Sequence, residues 1–367
     1  MGFVLPQYLA PDFEVEPLCD SPLVEFVEVD QAGVAPPNYH STTIYPEYFQ
    51  VRPREWVLLR ESRMDAMVVL EPDGSLSARE FRHLMVGDRV ACGRGEHGED
   101  GIYVHTEAFG AAPTAAEKFV FRTRITRETA FSIDYDELYQ LLEYERSHGF
   151  ILWVLGPAAV FDHDSRQALV EIIGGGYAHA LLAGNALATH DLEGAMFGTA
   201  LGQELYSKRP VPLGHYRHMD AINQIRKAGG IEKAIAAGHI RDGVMHALVQ
   251  TGIPFVLAGS IRDDGPLPEV IVDIERAQDA MRAYTRRATT VIALATQLHS
   301  IATGNLLPSY QVMADGMVRP VYFHIVDMSE FAMDKLANRG SLSARSILTN
   351  VQDFLVTLER GLRQRCR

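Results

Sequence analysis

The sequence predicts an α/β protein: a Rossmann-like parallel sheet with helices on both faces, preceded by a small N-terminal β domain. From about residue 130, short apolar runs alternate with helical patterns, and each run ends in a small or polar residue. Continuous apolar runs are typical of strands buried on both faces, and their alternation with helices indicates parallel pairing. Before residue 110 the apolar runs are β-rich and separated by Gly and Pro turns, which indicates a separate β unit.

These patterns predict a β-rich domain over residues 1–110 and a Rossmann-like domain over 111–367. A linker rich in small residues is predicted at 108–118. The predicted strands are 56–59, 67–70, 89–92, 150–155, 180–183, 254–258, 290–295 and 321–326. The predicted helices are 136–148, 164–173, 191–202, 269–285, 328–337 and 342–360.

Composition excludes several classes of protein. The net charge of -13 argues against sequence-independent nucleic-acid binding, which depends on a basic face. No run of eighteen apolar residues predicts a membrane span, and the first residues lack the pattern of a secretory signal. The three cysteines are scattered, so neither a zinc site nor a disulfide framework is predicted. We therefore expect a cytoplasmic protein without nucleic-acid or membrane partners.

The loops that follow the predicted strands are the places to look for a ligand site, because doubly wound sheets bind ligands beyond the carboxyl ends of their strands. No GxGxxG motif is present, and Gly174-Gly175-Gly176 precedes a strand, which favours a helix stop. A loop that binds a dinucleotide cofactor must therefore differ from the GxGxxG loop, and Gly184-Asn185 is the best candidate for it. Asp191 has an equally good structural interpretation, in which it caps helix 191–202 together with Thr189.

Two further strand ends carry charged or titratable side chains. Arg262, Asp263 and Asp264 lie between Gly259 and Pro266. Such a triplet suits a site for an amino acid, since Arg binds a carboxylate through two hydrogen bonds and Asp can deprotonate an ammonium group. A structural ion-pair network is the competing interpretation. His299 follows the strand at 290–295, and it is equally interpretable as a functional residue or a buried core histidine.

The remaining histidines predict no metal site. Asp162-His163-Asp164 resembles a metal cluster, but no partner motif stands at ligand spacing, and helix capping by Asp164 is favoured. His215 and His218 lie at i and i+3 without an identifiable third ligand. No GxSxG, Walker or HExxH motif occurs.

Several long motifs resemble one family, the NAD-dependent ornithine cyclodeaminases known as the LOR/SDH bifunctional enzyme conserved region family. They are GYAHALLAGNALATHDLE (176–193), PFVLAGSIRDDGPLPEV (254–270), ATQLHSIATGNLLPSYQV (295–312), VDMSEF (326–331), NYHSTTIYPEY (38–48) and RMDAMVV (63–69). The family includes archaeal enzymes and the C-terminal part of cyanobacterial arginine dihydrolase/ornithine cyclodeaminase fusions. Its members usually begin with a further α+β segment, which this sequence lacks or keeps as a remnant. The guanidine-removing domain of the fusions is also absent, so arginine dihydrolysis is not expected.

The resemblance implies a resident NAD⁺. A hydride would leave Cα of L-ornithine, the δ-amine would attack the resulting imine and expel ammonia, and the returned hydride would give L-proline. The residues that the resemblance implies as NAD contacts are Asn185, Ala186, Asp264, Thr296, Gln297, Leu298, His299, Gly340 and Ser341. The RDD triplet would be catalytic, with Arg262 as substrate clamp, Asp263 as base and Asp264 as the third member.

Two alternatives remain open from the sequence. The scaffold suits another NAD enzyme, such as a lysine or arginine cyclodeaminase or an opine-type dehydrogenase. It also suits a non-catalytic sensor of NAD or amino acids. In each case we expect a small-molecule amino-acid ligand and a homo-oligomer.

Overall fold

The computed structural model describes residues 3–109, 135–329 and 342–365. The strands of the N-terminal part are β1 Glu25–Glu28, β2 Glu47–Arg52, β3 Glu55–Leu58, β4 Met67–Leu70, β5 Leu76–Arg79, β6 Arg89–Cys92 and β7 Ile102–Val104. Those that follow are β8 Ile151–Leu155, β9 Ala180–Gly184, β10 Thr199–Ala200, β11 Gln203–Glu204, β12 Phe255–Ala258, β13 Val270–Ile271, β14 Thr290–Leu294, β15 Tyr310–Val312, β16 Val318–Pro320, β17 Tyr322–Asp327 and β18 Ser343–Leu348. The helices are α1 Tyr135–His148, α2 His163–Gly174, α3 Asn185–Phe197, α4 Arg217–Ala228, α5 Ile231–Ala236, α6 Val244–Thr251, α7 Ile274–Thr285, α8 Gln297–Leu306 and α9 Val351–Arg365.

A seven-stranded parallel sheet organises the second part of the chain. Its strand order is β13-β12-β9-β8-β14-β17-β18, and every neighbouring pair is parallel. The chain starts in the middle at β8, builds outward through β9 and β12, then returns to the other side of β8 with β14. The order therefore reverses between β8 and β14, and this switch point opens a crevice at the carboxyl ends of the two strands.

Helices cover both faces of this sheet. Alternate strand side chains point to opposite faces, so Trp153 and Ile292 pack in one apolar layer while Val154 and Val291 pack in the other. The first layer is closed by residues of α1 to α6 and α9, and the second by residues of α7 and α8. The predicted α/β fold with helices on both faces is confirmed.

The N-terminal part is built from antiparallel β-sheets, as the predicted fold class expects. Two antiparallel sheets, ordered β1-β6-β4-β5 and β3-β2-β7, enclose a small core around Phe49, Val68 and Ile102. The Tyr310 hydroxyl donates to the Leu59 carbonyl, which ties this unit to the chain beyond α8. The domain boundary predicted near residue 110 falls outside the described residues, as do most of the linker at 108–118 and most of the predicted helix 328–337.

Some predicted element boundaries are wrong. The predicted helix 342–360 is a strand, β18, followed by α9, and α7 starts only at Ile274 because Val270–Ile271 forms an edge strand. Edge strands are only half buried, so their apolar signal is weak and is easily mistaken for a helical one. The predicted glycine stop is confirmed, because α2 ends at Gly174 and Gly176 has φ +79°. Across the described residues, no helix is long and apolar enough to span a membrane.

Candidate functional site

Four loops meet at the carboxyl edge of the sheet around the switch point. They are 156–158 after β8, 184–186 after β9, 259–264 after β12 and 295–299 after β14. Since β9, β8 and β14 are adjacent and parallel, their ends face the same crevice. The predicted candidates in 184–186, 262–264 and 296–299 are thus placed on one edge, whereas Gly340 and Ser341 lie outside the described residues.

Gly184 lies directly against the side chain of His299. A Cβ atom at Gly184 would lie 2.8 Å from Cε1 of His299, so a larger residue there would require the imidazole to move. The His299 Nδ1 lies 3.3 Å from Oγ1 of Thr296. Burial lowers the pKa of His299, while the Asp263 carboxylate opposes that shift and the Arg262 guanidinium adds to it. His299 is therefore an uncharged ring at neutral pH, within electrostatic reach of the charged loop after β12.

Asn185 connects the start of α3 to the loop after β12. Its Oδ1 accepts hydrogen bonds from the backbone N–H of Leu267 at 3.1 Å and from Oγ1 of Thr189 at 3.4 Å. Its Nδ2 makes no hydrogen bond to any residue that the structure describes and remains a donor for a ligand. Asn185 therefore holds the loop after β12 against the start of α3, and its Nδ2 group stays available to a ligand.

The charged loop after β12 has a defined shape. The Ser260 N–H donates to Oδ2 of Asp263 at 2.8 Å, and the Asp263 N–H donates back to the Ser260 carbonyl at 3.0 Å. Farther along, Nη1 of Arg226 donates to the Pro266 carbonyl at 2.8 Å. Asp263 is half-buried, whereas Arg262 and Asp264 are exposed. One oxygen of Asp263 therefore stabilises the turn, and its other oxygen remains available to a substrate.

Two helices, α3 and α8, begin at the crevice. Neither has an N-cap side chain that accepts a hydrogen bond from its first turn, as is also true of α4 and α5, whereas Asp162 caps α2 and Asp273 caps α7. The first backbone N–H groups of an uncapped helix have no intrahelical partner, and they carry a partial positive charge. Two helix N-termini are thus open to an anion at the same edge of the sheet.

Gly156 is a residue of the site that the sequence analysis did not single out. Its N–H donates to the Leu294 carbonyl at 2.8 Å, and a Cβ there would lie 2.0 Å from the Ala295 carbonyl oxygen. Ala295 itself has φ +49°, a left-handed conformation uncommon for alanine. This is the point where β8 and β14 diverge. A Gly-Pro pair at the end of a strand was the available signal, but only the strand order shows that this strand is central.

Asp191 does not cap its own helix, so that prediction is wrong in its detail. Helix α3 starts at Asn185, which leaves Thr189 and Asp191 buried in its interior. The Asp191 carboxylate accepts hydrogen bonds from Nε of Arg166 at 2.7 Å and from the N–H groups of Val244 and Met245 at 3.0 and 2.8 Å. It therefore caps α6 from a distance and belongs to the structural framework.

The prediction that Asp164 caps the helix at the Asp162-His163-Asp164 cluster is also wrong. Asp162 is the residue that caps α2, accepting from the N–H groups of Asp164 and Ser165. His163 and Asp164 are exposed. Among the described side chains, no group of three His, Cys, Asp or Glu residues is placed to hold a metal ion.

Comparison with known proteins identifies the family. The family model for the C-terminal Rossmann fold of ArgZ-like arginine dihydrolases matches residues 137–358. The ornithine cyclodeaminase of Archaeoglobus fulgidus is 40% identical over 91% of this chain and 78% of its own length. That of Methanopyrus kandleri is 36% identical over 90% of this chain and 76% of its own. The bifunctional arginine dihydrolase/ornithine cyclodeaminase ArgZ of Synechocystis is 36% identical, and the match spans 48% of that longer protein.

Solved structures agree with these relatives. A conserved LOR/SDH protein of Methanococcus maripaludis superposes with a TM-score of 0.83 at 34% identity, covering 94% of this chain and all of that one. AgrE, crystallised in a ternary complex with ornithine and NAD⁺, gives a TM-score of 0.59 at 31% identity over 95% of this chain and 47% of its own. The chain therefore belongs to the family of ornithine cyclodeaminase enzymes whose fold also forms the C-terminal Rossmann domain of ArgZ-like fusions.

Proposed function

We propose that this protein is an NAD-dependent ornithine cyclodeaminase, which converts L-ornithine to L-proline and ammonia. The observation that carries the proposal is the Gly184–His299 contact at the switch point, beside the charged loop 260–264. Near this contact lie an uncharged imidazole, the Arg262 guanidinium and the Asp263 carboxylate, and both charges act on His299. The family relationship supports the reaction, and the AgrE complex with ornithine and NAD⁺ supports both ligands.

The chemistry of the residues around the crevice suits a dinucleotide. The two uncapped helix N-termini suit a diphosphate, and Gly156 and Gly184 let a ligand approach the backbone closely. The residues proposed to hold it are Asn185, Ala186, Asp264, Thr296, Gln297, Leu298 and His299. When bound there, NAD⁺ supplies an acceptor for a hydride from the amino acid's Cα and a donor that returns it.

The chain's own residues would bind the amino acid and move its protons. Arg262 suits the α-carboxylate, because its planar fork matches two carboxylate oxygens. The free oxygen of Asp263 would take a proton from an ammonium group of the substrate. An uncharged His299 can accept a hydrogen bond in this crevice without repelling a cationic amine. The three roles require the residues to lie close together, and the electrostatic effect of Arg262 and Asp263 on His299 supports that arrangement.

Replacing Asn185 with leucine should weaken NAD⁺ binding about tenfold, the cost of roughly one hydrogen bond. The substitution removes the free Nδ2 donor and also the acceptor for the Leu267 N–H. Titration calorimetry measures the change, with Asn223→Leu on the exposed surface of α4 as the matched control. A wild-type protein without measurable NAD⁺ affinity would contradict the cofactor assignment.

The reaction itself is tested with isotope-labelled ornithine. One ornithine should give one proline and one ammonia with only catalytic NAD⁺, and deuterium at Cα of ornithine should appear at Cα of proline. Label is retained because the same hydride leaves and returns within one closed site. Complete loss of the label would rule out a retained hydride, and stoichiometric accumulation of reduced cofactor would identify a dehydrogenase instead. Ornithine that stabilises the protein without any turnover would point to a sensor.

A further inference from the structure

The two ends of helix α8 make different kinds of contact. Its first residues, Gln297 to His299, belong to the candidate site, and no N-cap side chain accepts a hydrogen bond from its first turn. Its last residue, Leu306, lies about 15 Å away along the helix axis, because each of its ten residues adds about 1.5 Å. The placement of the crevice end therefore depends on how the far end is held.

Two side chains of α7 bind the far end of α8. Nη1 of Arg282 donates a hydrogen bond to the Leu306 carbonyl, and Oγ1 of Thr285 donates to the same carbonyl at 3.2 Å. Carbonyl groups in the last turn of a helix have no partner within the helix and carry partial negative charge, so a guanidinium is a favourable partner for them. Helix α7 therefore caps the C-terminus of α8.

The Arg282 guanidinium is a buried cation whose partners are carbonyl groups. The residue is 6% exposed, and it makes no ion pair with a carboxylate of any described residue. Its Nη2 donates to the Glu61 carbonyl of the N-terminal part at 3.4 Å. Burial, together with the nearby guanidinium groups of Arg286 and Arg63, lowers the pKa of Arg282 to about 10, so the side chain stays charged at neutral pH. The carbonyls of α8 and of the N-terminal part compensate for the burial of this charge.

The chain that follows α8 is also bound to the N-terminal part. Oγ of Ser309 donates to the Ile44 carbonyl, and the hydroxyl of Tyr310 donates to the Leu59 carbonyl. Ser309 and Tyr310 are both buried. The far end of α8 is therefore held between α7 and the N-terminal part, and Arg282 hydrogen-bonds to α8 and to the N-terminal part at once.

We propose that Arg282 is a positioning residue for the crevice: by fixing α8 at Leu306, it holds the start of that helix, with His299, in place for the cofactor. A helix transmits such a constraint because its backbone hydrogen bonds make it a rigid element. Little displacement is tolerated at the crevice, since a Cβ atom at Gly184 would already lie 2.8 Å from Cε1 of His299. The effect on cofactor binding rests on the proposed function, whereas the effect on α8 does not.

The first test follows His299 in the protein without added cofactor. Arg282→Met removes the charge and both hydrogen bonds, whereas Arg282→Lys keeps the charge and can still donate to the Leu306 carbonyl. The pKa of His299, measured by NMR and assigned with His299→Gln, should rise towards its ordinary value in Arg282→Met, because a displaced α8 leaves the ring less buried. It should keep the wild-type value in Arg282→Lys. The control is Arg286→Met, which removes a neighbouring cation and keeps both hydrogen bonds to Leu306.

The second test is the affinity for NAD⁺, measured by titration calorimetry on the same variants. Arg282→Met should raise the Kd about tenfold, which corresponds to roughly one hydrogen bond misplaced at the site. Arg282→Lys should restore most of the affinity, and Arg286→Met should leave the Kd unchanged. At saturating NAD⁺, kcat of Arg282→Met should fall less than the affinity does, because Arg282 positions the helix without touching the reacting atoms.

Two results would overturn the proposal. The first is a pKa of His299 that is unchanged in a folded Arg282→Met variant. The second is an unchanged Kd for NAD⁺ with a lower melting temperature, which would make Arg282 a purely structural residue. A wild-type protein that does not bind NAD⁺ would contradict the proposed function, and the titration of His299 would then decide the role of Arg282. Should Arg282→Met fail to fold, Arg282→Gln repeats both measurements, and unchanged values there would overturn the proposal equally.

Discussion

Replacing Asp263 with asparagine is expected to lower kcat about a hundredfold or more while leaving the fold intact. Asparagine is nearly isosteric with aspartate, and its Oδ1 can still accept the hydrogen bond from the Ser260 N–H that closes the turn. What it loses is the ability to take a proton from a substrate ammonium group. Steady-state kinetics and thermal unfolding of the same preparation measure the two effects, with Asp220→Asn on exposed α4 as control.

Replacing Arg262 with lysine tests substrate binding by the same loop, whereas Asp263→Asn tests proton transfer. Lysine keeps the positive charge but loses the two-pronged hydrogen bond to a carboxylate, so KM should rise with a smaller loss in kcat. If the loop were purely structural, both substitutions would lower the melting temperature and leave activity per folded molecule unchanged. Unchanged kinetics in both variants would remove the loop from the mechanism.

Replacing Asp191 with alanine is expected to lower the free energy of unfolding by about 3–5 kcal/mol, the typical cost of leaving a buried charge without its partner. The carboxylate is fully buried and binds Arg166 and the N-terminus of α6 together. Burial lowers the pKa of Arg166, and the carboxylates of Asp191 and Asp242 outweigh burial and raise it, so removing Asp191 leaves a buried guanidinium with only Asp242 beside it. Gly243 is required nearby, because a Cβ there would lie 2.1 Å from Nη2 of Arg166.

Asp242→Asn is the matched comparison for Asp191. Asp242 binds the same guanidinium at 2.6 Å, but its side chain is 65% exposed, so its loss should cost less than about 1 kcal/mol. Urea unfolding of the two variants measures the difference, with the slope of the transition checked for a change in cooperativity. Equal destabilisation would contradict the view that burial makes the Asp191 interaction strong.

Prediction of the fold succeeded where burial was complete. Strands β8, β9, β12, β14 and β17 are buried on both faces, so each appears in the sequence as a continuous apolar run. The prediction of secondary structure failed at β18, a half-buried edge strand that was predicted as a helix. Apolar periodicity reports burial, and an edge strand is buried too little for its period to be distinguished from that of a helix.

Prediction of the site also depended on recognising the buried strands, because the candidate residues directly follow them. Polar residues directly after buried strands pointed to Gly184, Arg262 and His299, and the structure places them on one edge of the sheet. Gly156 was not predicted as a site residue, because its importance follows from the position of β8 beside β14. The capping role of Asp191 was predicted for the wrong helix, since its backbone partners, Val244 and Met245, are distant in sequence.

Local sequence is thus sufficient for the class of fold, the ends of the buried strands and the residue types of the candidate site, since strand burial and turn chemistry act over a few residues. Strand order, the crevice at the switch point, the contact of His299 with Gly184 and the network around Asp191 required the tertiary structure. Each of these depends on groups far apart in the chain, and whether they meet is decided by packing of the whole sheet and its helices. The sequence shows which side chains can react or bind, and the packing determines which of them are close enough to act together.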